Sequence, residues 1–132
     1  MATINGLPFT AGTESGIKVV QHYNYTGGGS SLPYSVSEVL DSYNTDTNRN
    51  EPVYFTAFCH AWAYSVNPIT SRVTLQYSDD NVSWQQERTS VATYPICPYI
   101  QGVATGHRYY RLTYEGTMRI QEGTMACKGQ IE

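Results

Sequence analysis

Three cysteines (Cys59, Cys97, Cys127) and three histidines (His22, His60, His107) carry the most reactive side chains of this 132-residue chain. A nucleophile is activated when a base stands within hydrogen-bond reach. Cys59 and His60 are chain neighbours in an apolar run that reads as a strand, so they point to opposite faces and cannot pair. Cys97 or Cys127 could meet His107 in space, but nothing local argues for that pairing; reduced, buried thiols are expected. For a metal, no C-x2-C or H-x3-H spacing occurs among the six residues. Asp79, Asp80 and Asn81 offer oxygens to Ca²⁺, but the spaced ligand series and distal Glu of such a loop are absent. They read as a solvated turn. Glu87, Glu115 and Glu122 are the carboxylates from which a glycoside-cleaving pair would be drawn, and no spacing favours any two of them. Gly27-Gly28-Gly29-Ser30-Ser31 would cradle a phosphate only before a helix carrying Lys-Ser or Lys-Thr, and no such lysine follows. No catalytic residue, cofactor or metal is expected.

The charge pattern narrows the partners. Net charge is −3 and the only lysines are Lys18 and Lys128. Phosphate neutralisation needs a basic stripe, so nucleic acid is not an expected partner. Charged residues make up 14% of the chain, against roughly 25% in an average globular protein. Twelve tyrosines supply most of the 13% aromatic content. Such a surface is easily desolvated, and tyrosine suits interfaces because its large ring carries a polar tip. The opening MATINGLPF lacks the basic and apolar regions of a signal peptide, and no run has transmembrane length. Synthesis in a cytoplasm, without a membrane partner, is the expectation.

These residues must be positioned by strands. Residues 1–16 read as an extended N-terminal arm broken by Gly6, Pro8, Gly12 and Gly16, with one domain over 17–132. Ile17–Tyr25 is β-branched and aromatic. Pro33–Leu40 leans to strand, although Ser35 and Glu38 also spell a capping box for one helical turn. Asp41–Glu51 reads as a long exposed loop that includes Tyr43. Pro52–Tyr64 is apolar on both faces, with Tyr54, Thr56, Phe58, His60, Trp62 and Tyr64 on the face expected to fill a core and Val53, Phe55, Ala57, Cys59, Ala61 and Ala63 on a closely packed one. Arg72–Ser78 alternates, with Val73, Leu75 and Tyr77 inward, and Ser78–Asn81 turns into a strand resumed by Val82, Trp84 and the following glutamines. Pro95 and Pro98 confine Val91–Ile100 to an edge strand or extended loop. His107–Glu115 turns Tyr110, Leu112 and Tyr114 one way, and Gly116 ends it. Residues 118–120 and 125–131 read as a closing pair of strands around Glu122-Gly123. Seven to nine short strands at roughly ten-residue spacing predict an all-β fold, a single antiparallel β-sandwich or jelly roll.

Exposed Tyr and Trp beside amide side chains would also suit a sugar, which stacks on rings and bonds through its hydroxyls. Trp62, Trp84, Tyr99 and Tyr109 are candidates for that platform, although core packing is the commoner fate of a strand Trp. Tyr43, Tyr99 and Tyr109 are the expected contact residues for a glycan or partner.

The segment VTLQYSDDNVSWQ (73–85), followed by HRYYRLTYEG (107–116), resembles the β-sandwich modules of the discoidin or galactose-binding-like type. It is also similar to small accessory virion proteins of tailed bacteriophages, which share the lack of an export signal, the small-residue arm and the low charge. That resemblance implies a non-enzymatic structural protein of the virion. The expected role is a decoration (cement) protein that binds and stabilises the head shell, or else a tail or fibre component. The implied partners are a major capsid or other virion protein and further copies of itself, with a trimer as the expected oligomer. A carbohydrate-binding module of tail-adhesion or lectin type is the alternative.

Overall fold

The computed structural model describes residues 3–4, 7–8, 12–14, 16–26, 32, 34–60 and 69–130. The side chains of residues before Gly16, the glycine-rich loop at 27–31 and Trp62 lie outside the described residues. Fourteen strands and no helix occur among them: β1 (Thr3–Ile4), β2 (Leu7–Pro8), β3 (Gly12–Glu14), β4 (Ile17–Tyr25), β5 (Ser35–Val36), β6 (Leu40–Asp41), β7 (Tyr43–Asn44), β8 (Arg49–Asn50), β9 (Val53–His60), β10 (Thr70–Ser78), β11 (Gln85–Thr93), β12 (Tyr99–Ala104), β13 (Tyr109–Gly116) and β14 (Ile120–Lys128). No helix among the described residues is long and apolar enough to cross a membrane.

Alternation of side chains builds two antiparallel sheets that bury their facing sides, as the sequence predicts for a β-sandwich. The first sheet runs β11-β10-β13-β5, with β6 also on β13; the second runs β12-β9-β14-β4-β3. Between them pack Val53, Phe55, Val73, Leu75, Tyr110, Leu112, Tyr114 and Met125. Tyr110, Leu112 and Tyr114 face inward as expected, each 0% exposed. The segment with Pro95 and Pro98 carries the chain from β11, at the edge of the first sheet, to β12, at the edge of the second. Side chains seal that edge: Arg88 Nη1 donates to Gln101 O at 2.8 Å, and Tyr99 N donates to Ser90 Oγ at 3.2 Å. Within the arm, β3 pairs antiparallel with β4 and so becomes the outer strand of the second sheet.

Four expectations are corrected. Asp41–Glu51 is exposed only over residues 45–49: it holds the end of β6 and the β7–β8 hairpin, and Ser42, Asn44 and Glu51 are buried. Its polar side chains satisfy backbone groups, with Ser42 Oγ donating to the carbonyls of His107 and Arg108 and Asn44 Nδ2 to that of Gly129. Of Pro33–Leu40, the described stretch 34–40 forms neither one strand nor a helical turn. Ser37 interrupts it, its N–H donating to Leu112 O and its Oγ accepting from Leu112 N, both at 2.8 Å.

The closing pair around Glu122-Gly123 is one unbroken strand, β14, paired with β4 on one side and β9 on the other. Gly123 marks close packing instead of a turn, because a Cβ there would fall on Tyr114 Oη and Leu112 Cδ1. Finally, β9 turns Val53, Phe55, Ala57 and Cys59 into the core, while Tyr54, Thr56, Phe58 and His60 lie on the outer side, the reverse of the expected core face.

Candidate binding face

The outer side of the second sheet is ordered by its pairing register. Three rows cross it at right angles to the strands: Val103–Tyr54–Ala126–Val19, Gln101–Thr56–Thr124–Gln21 and Tyr99–Phe58–Glu122–Tyr23. The middle row is short and polar, and the flanking rows hold Tyr54, Tyr99 and Tyr23, which are 56%, 51% and 63% exposed. Large rings on either side of small hydroxyls leave a shallow groove of about 330 Å3, lined by Tyr54, Thr56, Tyr99, Gln101, Val103 and Thr124 among others. Tyr99 Oη donates to Gln101 Oε1, which fixes that wall.

The outer side of the first sheet is different in kind. Arg72 pairs loosely with Glu115 at 3.7 Å, Thr74 bonds Thr89 at 2.8 Å, and Arg111 donates to Gln76 Oε1 while lying 4.2 Å over the Trp84 ring. Polar groups there are already partnered by their neighbours.

The three expected contact residues do not converge. Tyr99 stands in the groove, whereas Tyr43 and Tyr109 flank the guanidinium of Arg108, with ring centroids 5.1 and 5.0 Å from its Cζ. Arg108 in turn grips Asp41 with two hydrogen bonds of 2.9 Å. Burial pushes the Asp41 carboxyl up. The Arg108 bond, the Tyr43 N–H and the charges of Arg108 and Lys18 outweigh that and hold it below the usual carboxylate range. Lys18 Nζ donates to the carbonyls of Asp41 and Tyr43 at 3.0 and 2.6 Å, so this cluster is a structural clasp between β4, β6 and β13.

The reactive residues fall in unexpected company. Cys97 meets His60, not His107, with Sγ 3.2 Å from Nδ1. His107 stacks on Tyr77 at 3.7 Å and bonds Asp79 at 3.1 Å. Cys59 and Cys127 are buried, and desolvation pushes their thiols up to about 12 and about 11. His22 stacks on Tyr114 at 4.7 Å and, with Asn24 and Ser35, gathers around Gln121 Oε1. Burial pushes the Tyr114 hydroxyl above the ordinary phenol range.

Asp80 spends its carboxylate on the N–H groups of Ser83 and Val82, which hold its pKa below the ordinary carboxylate range. Among the described residues no group of three or more His, Cys, Asp or Glu is placed to hold a metal ion. Glu115 and Glu122 lie on the outer sides of different sheets and form no catalytic pair.

Sequence reasoning missed Tyr54, Thr56, Gln101 and Thr124. The available signal was the chemistry of the tips on β9: Tyr54, Thr56 and His60 all end in polar atoms, and Val53, Phe55 and Ala57 do not. No family model and no curated protein matches the chain. Among solved structures it is similar to one from Bacillus endospore appendages, described as disulfide-linked pili, at 11% identity and a TM-score of 0.42 over 94% of this chain and 98% of that one.

Proposed function

We propose that the chain is a non-catalytic binding module that docks on a larger protein assembly through the outer side of its second sheet. The observation behind this reading is the three-row face, where exposed tyrosines surround a groove and the described charges are few. Such a face loses little hydration when covered, and tyrosine gives large contact area at small entropic cost. The resemblance of residues 73–85 and 107–116 to accessory virion proteins supports a virion as that assembly, with the head shell as the surface bound. Many copies, self-associated as a trimer, would turn weak contacts into firm attachment. The test is to mix purified protein with particles from its source, pellet them, and measure the oligomer by light scattering. Saturable co-pelleting of an oligomer is the expected result. A monomer that stays in the supernatant contradicts the proposal.

A second reading is favoured by the middle row. Gln101, Thr56, Thr124 and Gln21 place amides and hydroxyls between tyrosine walls. That arrangement suits a sugar ring stacked on Tyr54 or Tyr99 with its hydroxyls bonded below. A glycan array separates the two: a defined saccharide bound by monomer, with no particle binding, replaces the assembly reading with the lectin one.

A further inference from the structure

Of the three cysteines, Cys97 alone is exposed. Its position beside His60 follows from the fold. Tyr99 pairs with Phe58, and Cys59 N donates to Pro98 O at 3.3 Å, which holds the 97–99 segment along the end of β9. His60 is held from the other side, where its carbonyl accepts from Arg119 N at 2.7 Å and its ring packs against Tyr94 with centroids 6.2 Å apart. The imidazole nitrogen therefore rests 3.2 Å from the sulfur at the end of β9, at the rim of the tyrosine face. A thiol with a proton acceptor at this distance satisfies the geometric condition for an activated sulfur nucleophile.

We propose that Cys97 and His60 form a thiol–disulfide exchange site that takes low-molecular-weight disulfides of the glutathione type. His60 Nδ1 accepts the thiol proton, and Cys97 Sγ attacks one sulfur of the incoming disulfide. A new Sγ–S bond forms as the old S–S bond breaks. The departing thiolate takes up the proton and leaves as a thiol, so Cys97 is oxidised to a mixed disulfide and one half of the reagent is reduced. A second copy whose Cys97 then attacks this mixed disulfide would release the other thiol and join two chains by the same chemistry. Cys59 and Cys127 do not compete, because both are buried in the core. This inference is independent of what the tyrosine face binds.

The experiment incubates the folded protein with oxidised glutathione and follows intact mass over time. One glutathione per chain is expected, located on Cys97 and absent from Cys97→Ser. His60→Ala and His60→Gln should each slow the reaction about tenfold, since only the thiolate attacks. Added imidazole should restore part of the rate to His60→Ala and leave the unaltered protein unchanged, a rescue that a purely structural role would not show. A covalent dimer on a non-reducing gel, absent from Cys97→Ser, supports the same exchange with a second copy as partner. Rates that are equal with and without His60, or an adduct that persists in Cys97→Ser, would overturn the proposal.

Discussion

Asp41 shows how a single residue couples charge to stability. Its carboxylate is held by Arg108 at 2.9 Å twice over, and its pKa lies below the ordinary carboxylate range. A depressed folded-state value means that the folded protein binds the proton less readily than the unfolded chain. The stabilisation is therefore present above about pH 4, the unfolded range, and is lost as pH falls through the folded value. Because both partners are more than a third exposed, solvent screening keeps the contribution of the pair small. Asp41→Asn should thus lower the urea midpoint slightly at pH 7 and match the unaltered protein near pH 2, as measured by urea unfolding at the two values.

Gly123 works by absence: Tyr114 and Leu112 occupy the space a side chain would take. Gly123→Ala should cost about 1–3 kcal/mol through overpacking, read as a lower denaturant midpoint. The sequence shows Gly123 but not its reason. A glycine between polar residues spells a turn, and only the partner strands reveal that two large side chains press on it.

Elements were legible where the inner face is apolar and the outer face polar. Thr70–Ser78 and Tyr109–Gly116 alternate inward and outward, and the structure keeps that alternation for Val73, Leu75, Tyr110, Leu112 and Tyr114. On β9 the pattern was ambiguous because both faces are apolar, and Phe58 and Phe55 look alike in isolation. The structure makes them unequal, with Phe55 4% exposed in the core and Phe58 half-buried on the outer side. Leu75→Ala should consequently cost about 2–5 kcal/mol and Phe58→Ala less than half as much, a comparison made by thermal unfolding of both variants. Asp41–Glu51 misled for another reason. Its Asn, Asp and Ser residues prefer to bond backbone in turns, as Asp41 does to Tyr43 N and Asn44 to Asp46 N, but Ser42 also reaches the carbonyl of His107 beside β13 and Asn44 that of Gly129 beside β14. The groove was invisible because its walls and floor come from β9, β12 and β14, whose pairing no local pattern announces.

At the scale of the whole molecule, the sandwich has two outer sides with opposite character. The first sheet spends its outward polar groups on one another, through Arg72 and Glu115, Thr74 and Thr89, and Arg111 and Gln76. The second sheet leaves Tyr23, Tyr54 and Tyr99 facing solvent, with Tyr54 and Tyr99 lining a groove. If the second side is the docking surface, function should depend on that side alone while folding depends on neither. The direct measurement is co-sedimentation with source particles of two triple variants, Tyr23→Ser/Tyr54→Ser/Tyr99→Ser on the second sheet and Arg72→Ser/Gln76→Ser/Glu115→Ser on the first. Both should melt within a few degrees of the unaltered protein, since exposed positions each change stability by about 0.5 kcal/mol or less. The tyrosine variant should stay in the supernatant and the first-sheet variant should pellet with the particles. Equal pelleting of the two, or loss confined to the first-sheet variant, would contradict the account.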